Sequence, residues 1–288
     1  MNTLHDWKQL TVAQLREQYE QERYAPNQSE VLGGMARRSR EVREAITVEA
    51  FRYGIEADET GWWCPPQGQG GEIVCLVHGG AWRGGRGENY LYPAPWITAS
   101  GRHYVSLEFG SALDFGGRIQ PMVDQVRRGL SHVIRQAEAR GAAPRVHLVG
   151  HSSGAHLAAC LAALDWRVLV PEYPEALRSI LLCSGSYDLE PVSHSGRRDY
   201  LRLDAAEIQT LSPLRQVFDP ARPIFLTVGE HESPEFRRHY ETLRHKLSQA
   251  GVPLQEWVGP GLNHFEIIQT FDAEGALGRF WQEALAQV

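Results

Sequence analysis

The chain has 288 residues, of which 42% are hydrophobic and 22% charged, an ordinary globular composition with enough apolar material for one sizeable core. Its formal net charge of −6 and pI near 6.1 argue against nucleic acid or an anionic membrane as partner, and leave a small-molecule substrate as the expected one. Met1 to Glu22 is polar with no apolar segment, and no run of about 18 apolar residues occurs anywhere, so neither a secretory signal nor a membrane span is expected.

In chain order, Leu10–Tyr24 and Ser29–Ile46 carry apolar residues at helical spacing and are separated by Pro26 and Asn27. Residues 1–60 are expected to form a helical N-terminal arm. It is either a cap over the later core or a packing arm for a homodimer. Gln67–Gly71 reads as a loop. From residue 71 to 288 the texture changes to that of a catalytic core. Ile73–Val77, Tyr104–Leu107, Val146–Val149, Ser179–Leu182 and Ile224–Val228 read as buried strands, and Trp257-Val258 as a later one. Helices are expected over Pro121–Ala139, Ser152–Leu164, Ser233–Ala250 and Ala273–Ala286. Strands alternating with helices predict an α/β fold, a single domain with a mostly parallel central sheet and helices on both faces. Cys64, Cys75, Cys160 and Cys183 contain no C-x-x-C pair and read as buried reduced thiols. With the polar N-terminus they lead to an expected cytoplasmic location.

The strand Val146–Val149 runs into Gly150-His151-Ser152-Ser153-Gly154 and then into a helix. This strand, sharp turn and helix is the context that the G-x-S-x-G elbow needs. Small residues let the turn close and expose the hydroxyl of Ser152 beside a helix N-terminus, where N–H groups favour negative charge. Ser152 is the candidate nucleophile, and Ser153 a candidate backbone donor to an oxyanion. Upstream, His78-Gly79-Gly80-Ala81-Trp82 follows the first clear strand. Consecutive glycines let backbone N–H groups approach a reacting oxygen, so Gly79 and Gly80 are assigned to an oxyanion loop. His78 reads as a structural hydrogen-bonding residue. Trp82 adjoins the loop and is either an aromatic wall of the pocket or a core tryptophan; Trp62, Trp63 and Trp96 cannot be ranked.

On this pattern the acid and the histidine follow the serine in that order. His264 lies in a loop after Trp257-Val258 and before the final helix, as a general base requires. His239 and His245 are expected to face solvent from their helix. The strand Ile224–Val228 opens into Gly229-Glu230-His231-Glu232-Ser233-Pro234-Glu235, where three glutamates compete for the role of acid. Spacing favours Glu232 over Glu230 and Glu235; His231 is expected to be exposed.

With these residues in place the chain resembles the arylformamidases, or kynurenine formamidases. The likeness extends through Met122-Val123-Asp124-Gln125-Val126, Gly150–Ala159 with Asp165-Trp166, and Ser184-Gly185-Ser186-Tyr187-Asp188-Leu189-Glu190-Pro191. It continues through Ser212-Pro213, Ser233-Pro234-Glu235-Phe236 and His264-Phe265-Glu266-Ile267, and includes Gln18-Tyr19 to Tyr24-Ala25-Pro26. The resemblance implies an α/β-hydrolase fold and hydrolysis of N-formyl-kynurenine to formate and kynurenine without metal or organic cofactor. It supports Ser152, Glu232 and His264 as a triad, with Gly79, Gly80 and Ser153 around the oxyanion. Two positions depart from the family. Asp is usual where Glu232 stands, so the longer side chain has to reach His264 from a backbone set further back, or by bending. Tyr is common where Ala81 stands beside the acyl pocket, so the site is enlarged or reshaped there. An esterase, amidase or acyltransferase of specialised metabolism acting on a larger acyl group would use the same triad.

Overall fold

The computed structural model describes residues 6–68 and 70–288; Met1–His5 and Gln69, and with them parts of the polar N-terminus and of the Gln67–Gly71 loop, lie outside the described residues. The strands are β1 (Glu49–Arg52), β2 (Thr60–Cys64), β3 (Ile73–Val77), β4 (His103–Leu107), β5 (Val146–His151), β6 (Leu177–Cys183), β7 (Ile224–Gly229) and β8 (Leu254–Gly259). The α-helices are α1 (Val12–Gln18), α2 (Gln28–Ala45), α3 (Ala94–Ala99), α4 (Gln120–Gln136), α5 (Ser153–Ala162), α6 (Trp166–Leu169), α7 (Leu189–His194), α8 (Ala205–Leu211), α9 (Pro234–Gln249), α10 (Glu266–Gln269) and α11 (Ala276–Leu285). The sheet order is β1-β2-β4-β3-β5-β6-β7-β8. β1 and β2 are antiparallel to their neighbours, and all the other pairs are parallel.

Strands β3, β4, β5 and β7 are buried along their whole length because both faces are covered. Side chains alternate across the pleat, so each strand feeds two cores. Ile73, Cys75 and Val77 join Leu148, Ile180 and Leu226 on one face, under α4, α5 and α9. Val74 and Leu76 join Val149, Leu181 and Phe225 on the other, against α2, α3, α10 and α11.

Residues 1–60 are not helical throughout. The described helices of this segment end at Ala45, and β1 with β2 then extends the sheet. β1 is an edge strand with Phe51 as its sole buried residue, so its sequence carries almost no apolar signal. The first expected helix also divides. Thr11 and Gln14 form a reciprocal capping box that starts α1. The chain then leaves the helix at Tyr19, whose ring is buried, and makes a short 3-10 turn over Gln21–Arg23. The arm is tied down by Arg16 to Asp199 at 2.7 Å, and by Asn27 to Glu266 at 2.7 Å and Asn263 at 2.8 Å. No described helix is long and apolar enough to cross a membrane. The four cysteines are free and buried.

Candidate active site

β5 delivers the elbow. It continues to His151, and Ser152 then takes φ 55° and ψ −122° as the N-cap of α5. A left-handed φ on a serine is strained, and its neighbours must be small for the turn to survive. A Cβ on Gly150 would stand 2.5 Å from the Gly154 carbonyl oxygen, and one on Gly154 would stand 2.2 Å from that of Val77. The strain points the Ser152 hydroxyl away from the sheet edge and toward His264.

Ser152 Oγ lies 2.9 Å from His264 Nε2, and His264 Nδ1 lies 2.6 Å from Glu232 Oε2. His264 and Glu232 are 1% and 4% exposed, so this chain of hydrogen bonds is shielded from water along most of its length. The other carboxylate oxygen of Glu232 accepts the Ser184 hydroxyl at 2.5 Å and the Gly229 N–H at 2.8 Å. The extra methylene of glutamate is thus taken up by bending: the side chain folds back onto the turn that carries it. Of the two competing acids, Glu230 is exposed and accepts the Gly261 N–H at 2.7 Å, bracing the loop that leads to His264. Glu235 is buried in the first turn of α9 and paired with Arg238 at 2.6 Å.

Gly79 and Gly80 follow β3 and pass directly over the elbow. A Cβ on Gly79 would come within 3.0 Å of Ser152 Cβ, and Gly80 has φ 139° with the Gly84 carbonyl filling the space a side chain would take. Ser153 opens α5, where first-turn N–H groups have no intrahelical acceptor. Gly79, Gly80 and Ser153 therefore surround Ser152. His78 has its Nδ1 2.8 Å from the Gly79 carbonyl and stacks on Phe109 at 4.2 Å, a structural position.

Trp82 does not line the cavity. Ala81 and Trp82 both have positive φ, and the double twist turns the indole inward. It is 3% exposed and donates to His156 Nδ1 at 3.2 Å, while His156 Nε2–H donates to the Leu211 carbonyl at 2.8 Å. Trp82 thus anchors the glycine loop to α5 as a core residue, and Ala81 keeps a place in the cavity wall. His239 is likewise fully buried rather than solvent-facing, because it lies on the inward stripe of α9 with Phe236, Tyr240 and Leu243. His245 and His231 are exposed as expected.

The cavity in front of Ser152 measures about 510 Å³. Tyr90, Phe265 and Met35 give it apolar faces, and Gln21, Arg83 and Arg197 polar ones. Several of these come from the arm and have no sequence signal for function beyond the Gln18-Tyr19 similarity. His151, the variable residue of the elbow, has a role that its position in the motif does not reveal. Its Nε2–H donates to the His264 carbonyl at 2.9 Å and its Nδ1 accepts the Tyr90 hydroxyl at 3.0 Å. Burial first, and the neighbouring His264 next, push His151 down to about 3, so it stays neutral and locks the backbone of the histidine loop. Among the described residues no group of three or more His, Cys, Asp or Glu side chains is placed to hold a metal ion.

Ser184 is the other residue that motif reading passes over. It holds φ 58° after β6 so that its hydroxyl meets Glu232. Ser184→Ala is expected to lower kcat about 10–100-fold, the cost of one hydrogen bond to a charged group, with KM nearly unchanged. Steady-state kinetics that show instead a raised KM at constant kcat would move Ser184 from acid positioning to substrate binding.

The parallel sheet, the strained serine after β5, the acid after β7 and the histidine after β8 define an α/β hydrolase. No family model matches the chain. It is 27% identical over 291 residues to a kynurenine formamidase of Danio rerio, covering 95% of this chain and 96% of that protein. It is 29% identical over 205 residues to a kynurenine formamidase of Salmo salar, covering 68% and 67%. These matches bear out the resemblance to the arylformamidases. Among solved structures it is similar to a protein provisionally assigned as a thioesterase from a Silicibacter species, with TM-score 0.80, 20% identity, and 92% and 98% of the two chains covered. It is also similar to a hyperthermophilic esterase from the archaeon Pyrobaculum calidifontis, with TM-score 0.67, 17% identity, and 97% and 94% covered.

Proposed function

We propose that the chain hydrolyses the formyl amide of an aryl amine, an N-formyl-kynurenine-like substrate, through a formyl-enzyme on Ser152. The observation that carries this reading is the unbroken hydrogen-bond chain Ser152–His264–Glu232 opening into the cavity beneath Gly79 and Gly80. The two relatives named kynurenine formamidase support the acyl group, and the aromatic side chains of Tyr90 and Phe265 suit an aryl leaving group.

His264 Nε2 takes the Ser152 proton as Oγ attacks the formyl carbon, and Glu232 holds the Nδ1–H and offsets the positive charge that forms on the ring. The carbonyl oxygen becomes an oxyanion facing the backbone N–H groups of Gly80 and Ser153, with Gly79 shaping the approach. Each such donor contributes about 3–4 kcal/mol when judged by its removal. His264 returns the proton to the departing nitrogen, the amine leaves, and water activated by the same imidazole releases formate.

The test is a substrate panel of N-formyl-kynurenine, N-formylaniline, and p-nitrophenyl acetate and butyrate, read as kcat/KM. Formyl amides of aryl amines are expected to be cleaved, and with the leaving group held constant p-nitrophenyl acetate is expected to exceed the butyrate by at least about 10-fold, as a pocket fitted to a small acyl group requires. Ester turnover with no formamide turnover would overturn the formyl assignment and favour an esterase of larger acyl groups. A fluorophosphonate probe is expected to label Ser152; labelling elsewhere, or none, would remove the nucleophile.

A further inference from the structure

Four arginines line the cavity, and two of them are already neutralised. Arg23 is held by Glu17 and Glu20, and Arg86 by Glu88 and Glu108. Arg83 and Arg197 have no carboxylate within ion-pair distance among the described residues. Arg83 lies over the ring of Tyr200 at 5.0 Å, and the Tyr200 hydroxyl donates to the Ala81 carbonyl at 2.8 Å. Arg197 is half-buried and oriented by a 2.8 Å hydrogen bond from Nη2 to the Tyr19 carbonyl, but its Nε–H is buried and has no partner. On the same wall the Gln21 residue is 6% exposed, and neither its amide nitrogen nor its amide oxygen is hydrogen-bonded. Of the eight orphaned buried side-chain atoms among the described residues, three belong to these two residues. Buried polar groups are nearly always satisfied, so such a concentration beside a cavity marks groups whose partner arrives with a ligand.

The chemistry of the orphans says what that ligand carries. A guanidinium N–H and an amide N–H are two donors suited to a carboxylate, and an amide oxygen is an acceptor for a nearby N–H or O–H. The acids on the wall do not oppose this, because Glu20 is spent on Arg23 and Glu22 is exposed, where water screens it. We propose that Arg197 and Gln21 form a subsite for the carboxylate of a substrate whose neighbouring carbon bears a hydrogen-bond donor, as in an α-amino acid. The inference rests on the reading of this cavity as the place where the aryl acyl-amide binds, and it makes the arm, through Gln21, and the turn after α7, through Arg197, recognise the far end of that substrate together.

Isothermal titration calorimetry with β-benzoylalanine and its methyl ester tests it without needing turnover. Wild type is expected to bind the acid at least about tenfold more tightly than the ester, as a charge-assisted contact requires. Arg197→Met and Gln21→Leu are expected to erase that preference, and Arg197→Lys to keep part of it by retaining the charge. Gln21→Leu removes only unpaired polar atoms, so its melting temperature is expected to hold or rise. A Gln21→Leu protein that loses melting temperature has lost a structural contact, which overturns the role given to Gln21. Equal binding of acid and ester by wild type, or a preference that survives Arg197→Met, overturns the subsite. Acid-selective binding without any cleavage of formyl aryl amines leaves the subsite standing and overturns the formamidase reading; cleavage with equal binding does the reverse.

Discussion

Glutamine in place of Glu232 is expected to lower kcat by about 10⁴ while leaving KM within a few-fold. The reason is the pair of donors on Oε1. The Ser184 hydroxyl and the Gly229 N–H both require an oxygen there, so in Glu232→Gln the amide oxygen is held by them and the NH₂ must face His264. His264 Nδ1 then becomes an acceptor, and the ring proton moves to Nε2, the atom that must accept the Ser152 proton. The base is lost without any change in packing volume. Glu230→Gln is the control, because an amide oxygen still accepts the Gly261 N–H, and activity is expected to stay within a few-fold. Collapse of Glu230→Gln with survival of Glu232→Gln, measured by steady-state kinetics on one substrate, would reverse the assignment of the acid.

The second large effect is acid lability. His151 is pushed down to about 3, His156 to about 4 and His239 well below its ordinary value, each mainly by burial. In the unfolded chain all three titrate near the usual pKa of about 6.5. A histidine with a depressed folded pKa contributes fully above the unfolded value. Its contribution is lost as pH falls from there toward the folded pKa, because the unfolded state binds the extra proton. Three such protons give a slope of up to about 4 kcal/mol per pH unit between pH about 6 and 4. That exceeds the whole stability of an ordinary domain within about two to three units. Urea denaturation at pH about 8.5, 7.5 and 5 is expected to show stability nearly level across the first interval and falling by several kcal/mol across the second. Stability that stays level to pH 5 would mean that these rings are charged or solvated in the fold.

How legible each feature is in the sequence follows from how it is encoded. The central strands are covered on both faces, and full burial writes itself as an unbroken apolar run, so Ile73–Val77 and Val146–Val149 are visible without partners. β1 and β2 complete the sheet at an edge, where solvent faces one side and charges such as Glu49 and Arg52 are tolerated; their strand character exists only in pairing. The elbow, the glycine loop and His264 sit in turns whose backbone demands specific residues, so spacing locates them. The environment of those residues stays hidden, because it is assembled from distant segments. Nothing near Ser184 says that its hydroxyl will meet Glu232, and nothing in Gln21 says that it will line the cavity. Trp82 is ambiguous for the same reason: its direction depends on two successive positive φ angles that no motif announces.

The 3-10 turn at Gln21–Arg23 lies more than a hundred residues before the nucleophile and supplies none of the reacting groups. Part of the cavity wall is therefore written far from the reacting groups in the sequence. A lineage can rewrite Gln21–Arg23 and so change the far wall of the cavity, provided that Asn27 is kept, because it holds Asn263 and Glu266 on either side of His264. For the protein engineer the exchangeable stretch is therefore short: Gln21–Arg23, varied with Asn27 and Arg197 kept, should shift substrate preference and leave the catalytic step in place.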